Sequence, residues 1–310
     1  MALPTKHIRN QGPVIAMLGS TAFEVLRRRI TGKVPAGPGS LPGPEFHATL
    51  PPRPRALIRD YVRYCGGDPS SYARTLPPHM WPQWGFPLGA KTLESVPYPL
   101  LSILNGGCRV EVNALLPNDE PLECSARLLS IDENERRAVL EYEMVTGTAA
   151  CPRALVATSY AIVPLRKRGG PDKSNKKGPA KQPDRIPLDA EELARWKLPP
   201  DAGLAFAMLT GDFNPVHWIP PYARAFGFRN TILHGFASMG KAWETLVRSR
   251  FAGSPAAIRS FDVKFTKPLT LPAQVGLYLR PGDDHDQVWL GPAPGGSAYL
   301  VGTVKGDRPD

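Results

Sequence analysis

The sequence predicts an α+β fold built from two similar units, each with an antiparallel sheet. Two stretches, beginning at Tyr61 and at Phe206, resemble each other. Each runs from a helical pattern through Gly-Asp and a proline-containing bend into a Tyr-Ala-Arg helix. Runs of alternating apolar and polar residues follow, separated by short turns. Helices followed by consecutive strands indicate an antiparallel sheet rather than alternating βαβ units.

The first 30 residues combine early basic positions with an apolar run, as an export signal does. Ser and Thr interrupt that run, and Glu24 and Arg27 follow it closely. Its apolar positions also fit one face of a helix. We therefore expect an amphipathic helix rather than export. No segment reaches the roughly 18 apolar residues of a membrane span, so no membrane partner is expected.

A basic segment, 166–185, divides the chain. It holds eight Lys or Arg and two Asp, and so carries most of the net charge of +10. We predict a flexible linker, because the segment is rich in Lys, Gly and Pro and lacks hydrophobic periodicity. A surface that attracts phosphates or an acidic carrier protein is the alternative. Without interleaved aromatic residues, a nucleic-acid partner is not expected.

The predicted domains are therefore an N-terminal repeat at 1–165, a linker at 166–186 and a C-terminal repeat at 187–310. A helix of about four turns is expected from His234, because Phe236, Met239, Trp243 and Leu246 recur at helical spacing. The corresponding place in the first half, 89–107, contains two prolines, which predicts a reduced central helix. A repeat of this size indicates duplication.

The four cysteines form no CxxC pair and have no histidine at metal-ligand spacing. Thiols this sparse are typical of a reduced, cytoplasmic protein rather than of a disulfide framework.

The candidate chemistry lies in "GDFNPVHWIPPYARAFGFRNTILHG", residues 211–235. Asp212 and His217 flank Asn-Pro, and an irregular bend there could turn both side chains into one pocket. A carboxylate and an imidazole form a usable acid–base pair near neutral pH. Gly235 begins the predicted helix, where an unpaired backbone N–H could stabilise an oxyanion.

Structural roles are the alternative for these residues. Asp212 could cap a helix or form an Asx turn, and His217 could be a buried histidine with no chemical role. A metal site is not expected, since His217 and His234 lie 17 residues apart without a second nearby carboxylate. A Ser-His-Asp triad lacks the GxSxG motif.

"GDFNPVH", followed 16 residues after His217 by "LHG", resembles the MaoC-like, (R)-specific enoyl-CoA hydratase family of the hot-dog superfamily. The second half matches the family pattern at Gly211, Asp212, Asn214, Pro215, His217, Ala225, Phe226, Gly227, His234 and Gly235. The first half is similar to the degenerate copy of double hot-dog members. It keeps Asp68 but has Ala73 five positions later.

The resemblance implies a double hot-dog fold, with two antiparallel sheets, each carrying a central helix, packed as a pseudo-dimer. It implies a hydro-lyase that adds water reversibly to a trans-2-enoyl thioester, giving the (R)-3-hydroxyacyl thioester, as in fatty acid metabolism. Asp212 and His217 would activate the water and protonate the α-carbon, and the Gly235 N–H would hold the thioester oxygen. No metal or other cofactor is implied, because CoA or acyl carrier protein arrives with the substrate.

We assign substrate binding to Asn214, His234, Phe236, Ser238 and Trp243. Some family members have a pocket serine eight residues after the helix-opening glycine, where this chain has Trp243. Ser238 is the alternative hydroxyl. In the first half, "PHMWPQWGF" at 78–86 is expected to form core, with the wall of an acyl tunnel as the alternative.

Two other functions fit the hot-dog resemblance. An acyl-CoA thioesterase is one, although the Asp-x4-His bend argues against it. A non-catalytic acyl-thioester-binding subunit is the other. The sequence leaves open acyl length, the choice between CoA and carrier protein, the direction of reaction and whether the chain forms a homodimer.

Overall fold

The computed structural model describes residues 3–31, 35–99, 103–165 and 183–307. Six α-helices are seen there: α1 (Gly12–Thr31), α2 (Arg55–Cys65), α3 (Pro82–Thr92), α4 (Ala202–Thr210), α5 (Pro220–Ala225) and α6 (Gly235–Arg250). The strands are β1 (Phe46–Leu50), β2 (Leu104–Val112), β3 (Leu122–Glu133), β4 (Arg137–Thr148), β5 (Cys151–Pro164), β6 (Glu191–Leu198), β7 (Ile258–Phe265), β8 (Ala273–Arg280), β9 (Asp286–Gly291) and β10 (Leu300–Gly306).

The strand order shows the duplication predicted from the sequence. The sheet runs β1-β3-β4-β5-β2-β7-β10-β9-β8-β6, and the ladders between neighbours are antiparallel. Read inward from each outer edge, the five strands of the first half and the five of the second follow the same chain order. The predicted α+β fold with an antiparallel sheet in each half is confirmed.

The two halves share one continuous sheet, whereas the family resemblance implied two sheets packed as a pseudo-dimer. Strands β2 and β7 pair from Gly107 with Lys264 to Glu111 with Ser260. At Gly107 the backbone has φ of +137°, and a methyl group there would overlap the Val263 carbonyl oxygen. Glycine therefore allows the close approach that joins the halves.

Helix α6 is the central helix of the second half, as predicted. Met239, Trp243 and Leu246 on its inner face are fully buried, and the helix packs on β6, β7 and β10. Helix α3 is its shorter counterpart and packs on β3 and β4. It begins at Pro82, seven residues before the segment 89–107 that the sequence indicated, and it ends at Thr92, before the prolines at 97 and 99.

The aromatic segment 78–86 confirms the expected core. Met80, Trp81 and Trp84 are all buried. They belong to a large apolar cluster that also includes Phe206, Phe236 and Trp243 of the second half. The four cysteines are free thiols.

The predicted N-terminal helix is α1, preceded by a 3-10 helix, Thr5–Gln11. Val14 is buried, whereas Phe23 is 67% exposed, so only part of the expected apolar face is covered. Within the described ranges, no helix is long and apolar enough to cross a membrane. Most of the predicted linker, 166–182, lies outside the described residues. The C-terminal end of the linker is described, and there Ile186 is buried in a small apolar cluster with Tyr278 and Trp289.

Candidate active site

The candidate site begins where α4 ends. Gly211 terminates that helix in the left-handed conformation, with φ of +85°, which glycine adopts without steric cost. A methyl group at Gly211 would lie 2.7 Å from Cβ of Val14. Gln11, just before α1, is buried and donates to the Met208 carbonyl at 3.3 Å. The N-terminal segment thus supports the bend from behind.

The bend itself is held by short-range hydrogen bonds. The Asp212 carboxylate accepts from the Asn214 N–H at 3.3 Å, and the Asn214 side chain accepts from the Val216 N–H at 3.3 Å. Asn214 caps the 3-10 helix Pro215–His217, which has proline at its first position. The Asx turn considered from the sequence therefore exists, and it turns Asp212 and His217 toward the same side.

His217 is oriented by a backbone carbonyl. Its Nδ1 lies 2.8 Å from the Ile232 carbonyl oxygen. Because a carbonyl can only accept, Nδ1 carries the proton and Nε2 carries the lone pair. Burial lowers the pKa of His217 below its ordinary value, while the charge of Asp212 and the bond to Ile232 oppose this shift. The ring is therefore neutral near pH 7 and can accept a proton at Nε2.

His234 lies against His217, although 17 residues separate them. The ring centroids are 3.5 Å apart and the planes are inclined by 24°. Nε2 of His234 donates to the Asp212 carbonyl oxygen at 3.0 Å and lies 3.8 Å from the Asp212 carboxylate. Burial lowers the pKa of His234 to about 3, and proximity to His217 adds to the shift. His234 is thus a neutral residue that contacts both members of the acid–base pair.

The first turn of α6 completes the arrangement. His234 immediately precedes Gly235, whose N–H belongs to the helix N-terminus and has no acceptor within the helix. A methyl group at Gly235 would lie 2.5 Å from the Phe265 ring. The Phe265 ring leaves room only for glycine at position 235. Because glycine has no side chain, nothing from this residue covers its backbone N–H.

A glycine on α4 also supports the site, although the sequence analysis missed it. A methyl group at Gly203 would overlap the His217 carbonyl oxygen. Glycine in an otherwise apolar helix often marks a close backbone approach, and this could have identified it. No comparable sequence feature marks Ile232 as the residue whose carbonyl orients His217.

The remaining residues assigned to substrate binding lie in different surroundings. Asn214 is exposed at the bend, whereas Phe236 and Ser238 are buried in the first turn of α6. Trp243 is farther along α6, and its ring stacks on His79 with centroids 5.6 Å apart. Its contacts place it in the core between the halves, and its assignment to substrate stays a prediction.

Asp212, His217 and His234 also form a candidate metal-ligand cluster, with one donor atom of each within 4.8 Å of the others. Imidazole binds metals through a lone pair in the ring plane. The two rings are stacked, so an ion between them would lie far outside both planes. Nδ1 of His217 and Nε2 of His234 are already engaged by carbonyl oxygens. These contacts disfavour a metal ion, and the expectation that none binds here stays a prediction.

In the first half, the corresponding bend has another composition. Asp68 caps the 3-10 helix Pro69–Tyr72 by accepting from the Ser70 N–H, which makes it the counterpart of Asn214 rather than of Asp212. A methyl group at Gly67 would overlap the Glu244 carboxylate. Comparison of the two halves by sequence paired Asp68 with Asp212. The bend in the first half is, however, one residue shorter than the bend in the second half.

Several proteins of known structure share this fold. The crystal structure of HtdX from Mycobacterium tuberculosis superposes with a TM-score of 0.67 at 20% identity, covering 85% of this chain and 100% of that one. A MaoC-like dehydratase from Phytophthora capsici also gives 0.67 at 20% identity, over 84% of this chain and 95% of the other. The fold is a double hot-dog. Residues 175–287 match a family model described as MaoC like domain.

Two relatives are similar in sequence over part of the chain. The chain is 35% identical to 3-hydroxyacyl-thioester dehydratase X of Mycobacterium tuberculosis over 119 residues, 36% of this chain and 41% of the relative. It is 28% identical to peroxisomal enoyl-CoA hydratase 2 of Arabidopsis thaliana over 196 residues, 58% of this chain and 62% of the relative. The chain thus spans about two fifths to three fifths of the length of these relatives.

Proposed function

We propose that the protein is a hydro-lyase that reversibly hydrates trans-2-enoyl thioesters to (R)-3-hydroxyacyl thioesters. The observation that carries the proposal is the convergence of Asp212, the unprotonated Nε2 of His217 and the first turn of α6. The names of the relatives, an enoyl-CoA hydratase and a 3-hydroxyacyl-thioester dehydratase, support it. The substrate carrier is proposed to be CoA or acyl carrier protein.

In the proposed mechanism, Asp212 and Nε2 of His217 hold one water molecule. The water oxygen forms a bond to C3 of the enoyl group while a proton passes from water to Nε2. The electron pair of the C2–C3 double bond moves toward the thioester carbonyl, and the Gly235 N–H donates to the developing oxyanion. A proton from the acid–base pair then reaches C2. One water molecule has been added, and the pair returns to its starting state.

His234 is proposed to position this pair rather than to exchange protons itself. Its low pKa keeps the ring neutral, and its bond to the Asp212 carbonyl fixes the bend. In this proposal the side chains of the acid–base pair provide the base and the acid, and a backbone N–H provides the oxyanion donor. No step requires a further group. The chemistry is therefore proposed to proceed without a metal or other cofactor.

The test is a hydration assay with trans-2-enoyl-CoAs of short, medium and long chain. Loss of the conjugated enoyl absorbance, with (R)-3-hydroxyacyl-CoA formed, is the expected result. A thiol reagent added in parallel detects release of free CoA. Release of CoA without hydration would replace the proposal with a thioesterase.

A further inference from the structure

Apolar side chains along the N-terminal helices are exposed and have no role in the proposed chemistry. Four of them are exposed by 38%, 41%, 67% and 76% in chain order: Ile8, Ile15, Phe23 and Ile30. They are seven or eight residues apart, about two helical turns, so the three that lie on α1 share one face of that helix. We call these four residues the apolar stripe. Large apolar side chains exposed in a row mark a binding surface.

Helix α1 is held to the protein through a different face. Val14 is buried and lies against Gly211, where the catalytic bend begins. Gln11, just before the helix, is buried and donates to the Met208 carbonyl at 3.3 Å. The helix also packs on α3. The stripe is therefore presented to solvent by a helix that is anchored on its opposite side.

The neighbouring helix α2 carries a row of arginines. Arg55, Arg59 and Arg63 are exposed and recur every four residues, so they share one face. The single carboxylate of α2 belongs to Asp60, which lies 3.4 Å from the Arg59 guanidinium and 3.9 Å from that of Arg63. Three arginines against one carboxylate make this face positive. We call the three residues the arginine row.

The stripe and the arginine row meet at Asp60. Lys6 Nζ and His7 Nε2, on the N-terminal 3-10 helix, lie 2.7 and 2.9 Å from the Asp60 carboxylate. Ile8, the first residue of the stripe, follows His7 directly, and the exposed Arg9 follows Ile8. The contacts with Asp60 therefore place the start of the apolar stripe beside the arginine row, with two further cations between them.

We propose that the stripe and the arginine row bind the surface of an anionic lipid bilayer. The apolar side chains would enter the boundary between headgroups and acyl chains, and the arginines would contact the lipid phosphates. A helix face is convex, and a fluid bilayer accepts its separate side chains without the matching groove that a protein partner would need. A second copy of this chain is disfavoured, because the same positive surface would meet itself.

The proposal revises the expectation that no membrane partner binds. That expectation came from the length of the apolar segments, which decides whether a helix can span a bilayer. Binding at the surface of a bilayer requires only one exposed apolar face with basic residues beside it. The proposal is independent of the proposed function, since vesicle binding is measured without substrate.

Vesicle flotation with the full chain tests the proposal. Phosphatidylcholine vesicles with and without phosphatidylglycerol are compared for the wild type, the stripe variant Phe23→Ser/Ile30→Ser and the row variant Arg55→Gln/Arg59→Gln/Arg63→Gln. We expect the wild type to bind the anionic vesicles at least about tenfold more tightly than the neutral ones. Each variant should lose about tenfold or more of that affinity. Added salt should weaken wild-type binding, because it screens the arginines.

Matched controls carry the same kinds of substitution elsewhere on the surface. Leu104→Ser/Leu188→Ser removes two exposed apolar side chains, and Arg136→Gln/Arg137→Gln/Arg229→Gln removes three exposed arginines. Both should bind vesicles as the wild type does, with folding checked by circular dichroism. Failure of the wild type to bind anionic vesicles, or equal binding by the wild type and the stripe variant, would overturn the proposal. So would a wild-type dimer that binds no vesicles and that the stripe variant dissociates.

Discussion

The imidazole rings of His217 and His234 stack 3.5 Å apart, and each ring donates one N–H to a backbone carbonyl. The two bonds fix complementary tautomers: His217 is left with a free Nε2, and His234 with a free Nδ1. Only the first of these nitrogens belongs to the acid–base pair assigned from the sequence. The second ring stabilises the position of the first, so the two histidines act as one unit with different roles.

Removing either member of the acid–base pair should abolish most of the activity. We expect Asp212→Asn and His217→Ala each to lower the hydration rate by about 10²–10⁴ with the fold retained, measured by enoyl absorbance and circular dichroism. Asp68→Asn is the matched control, because Asp68 is an exposed capping residue in the first half. Rates within tenfold of wild type for both dyad variants would contradict the assignment.

His234 should behave as a positioning residue. His234→Leu removes the bond to the Asp212 carbonyl and should lower kcat about 10–100-fold, because small displacements of catalytic groups are costly. His234→Gln can keep an N–H donor and should retain more activity. The pH profile distinguishes this role from proton transfer, since its acid limb should still report His217. Equal kcat values for the leucine variant and wild type would remove His234 from the account.

Gly203→Ala should damage the site from outside the bend. The added methyl group overlaps the His217 carbonyl, so the 3-10 helix must shift and the imidazole with it. We expect kcat to fall at least tenfold while the protein still folds. Gly19→Ala on α1 is the control, because a methyl group there meets nothing within 4 Å. Comparable kinetics for the two variants would show that the close approach is unimportant.

The pH dependence of kcat/KM should follow His217. Burial lowers its pKa, so the neutral, proton-accepting ring persists below the ordinary histidine value of about 6.5. The acid limb of the profile should therefore lie below pH 6.5, measured in buffers of constant ionic strength. A limb above that pH would mean that protonated His217 is stabilised by Asp212 more than burial opposes it.

A buried acid–base pair in the core makes a separate prediction about stability. Nε2 of His79 lies 3.3 Å from the Glu244 carboxylate, and both side chains are almost fully buried. Burial raises the pKa of Glu244 to about 8 and lowers that of His79 to about 3. The pair is therefore uncharged near pH 7, with the proton on Glu244. The other titratable groups that act on the carboxyl or its partners include Tyr61, Tyr72, Cys65, Asp68 and Arg248.

The sign of the effect follows from the raised pKa of Glu244. Its stabilising contribution is complete below the unfolded value of 4.5 and is lost as pH rises through about 8. Between pH 6.5 and 8 the wild type should lose up to about 1.4 kcal/mol per pH unit from this group, and deprotonation of unfolded His79 over the same range affects the wild type and a Glu244 variant alike. The free energy of unfolding of Glu244→Gln, measured by urea unfolding, should fall less over the same pH range. Parallel slopes for the two proteins would contradict the neutral pair.

The sequence predicted the features that depend on local pattern. Alternating apolar residues indicated the antiparallel strands, and the Asp-x4-His spacing identified the bend, because both are set by neighbours along the chain. The stacking of His234 on His217 depends on how the loop from 218 to 233 returns, which no local pattern encodes. The pairing of Asp68 with Asp212 was wrong because a one-residue difference in bend length changes which side chain caps the 3-10 helix.

The central claim is tested most directly by following trans-2-enoyl-CoA absorbance with the wild type and Asp212→Asn, and by determining the chirality of the product. The account predicts hydration by the wild type to (R)-3-hydroxyacyl-CoA and a loss of about 10²-fold or more in the variant. Formation of the (S) product, or equal rates for the two proteins, would contradict it.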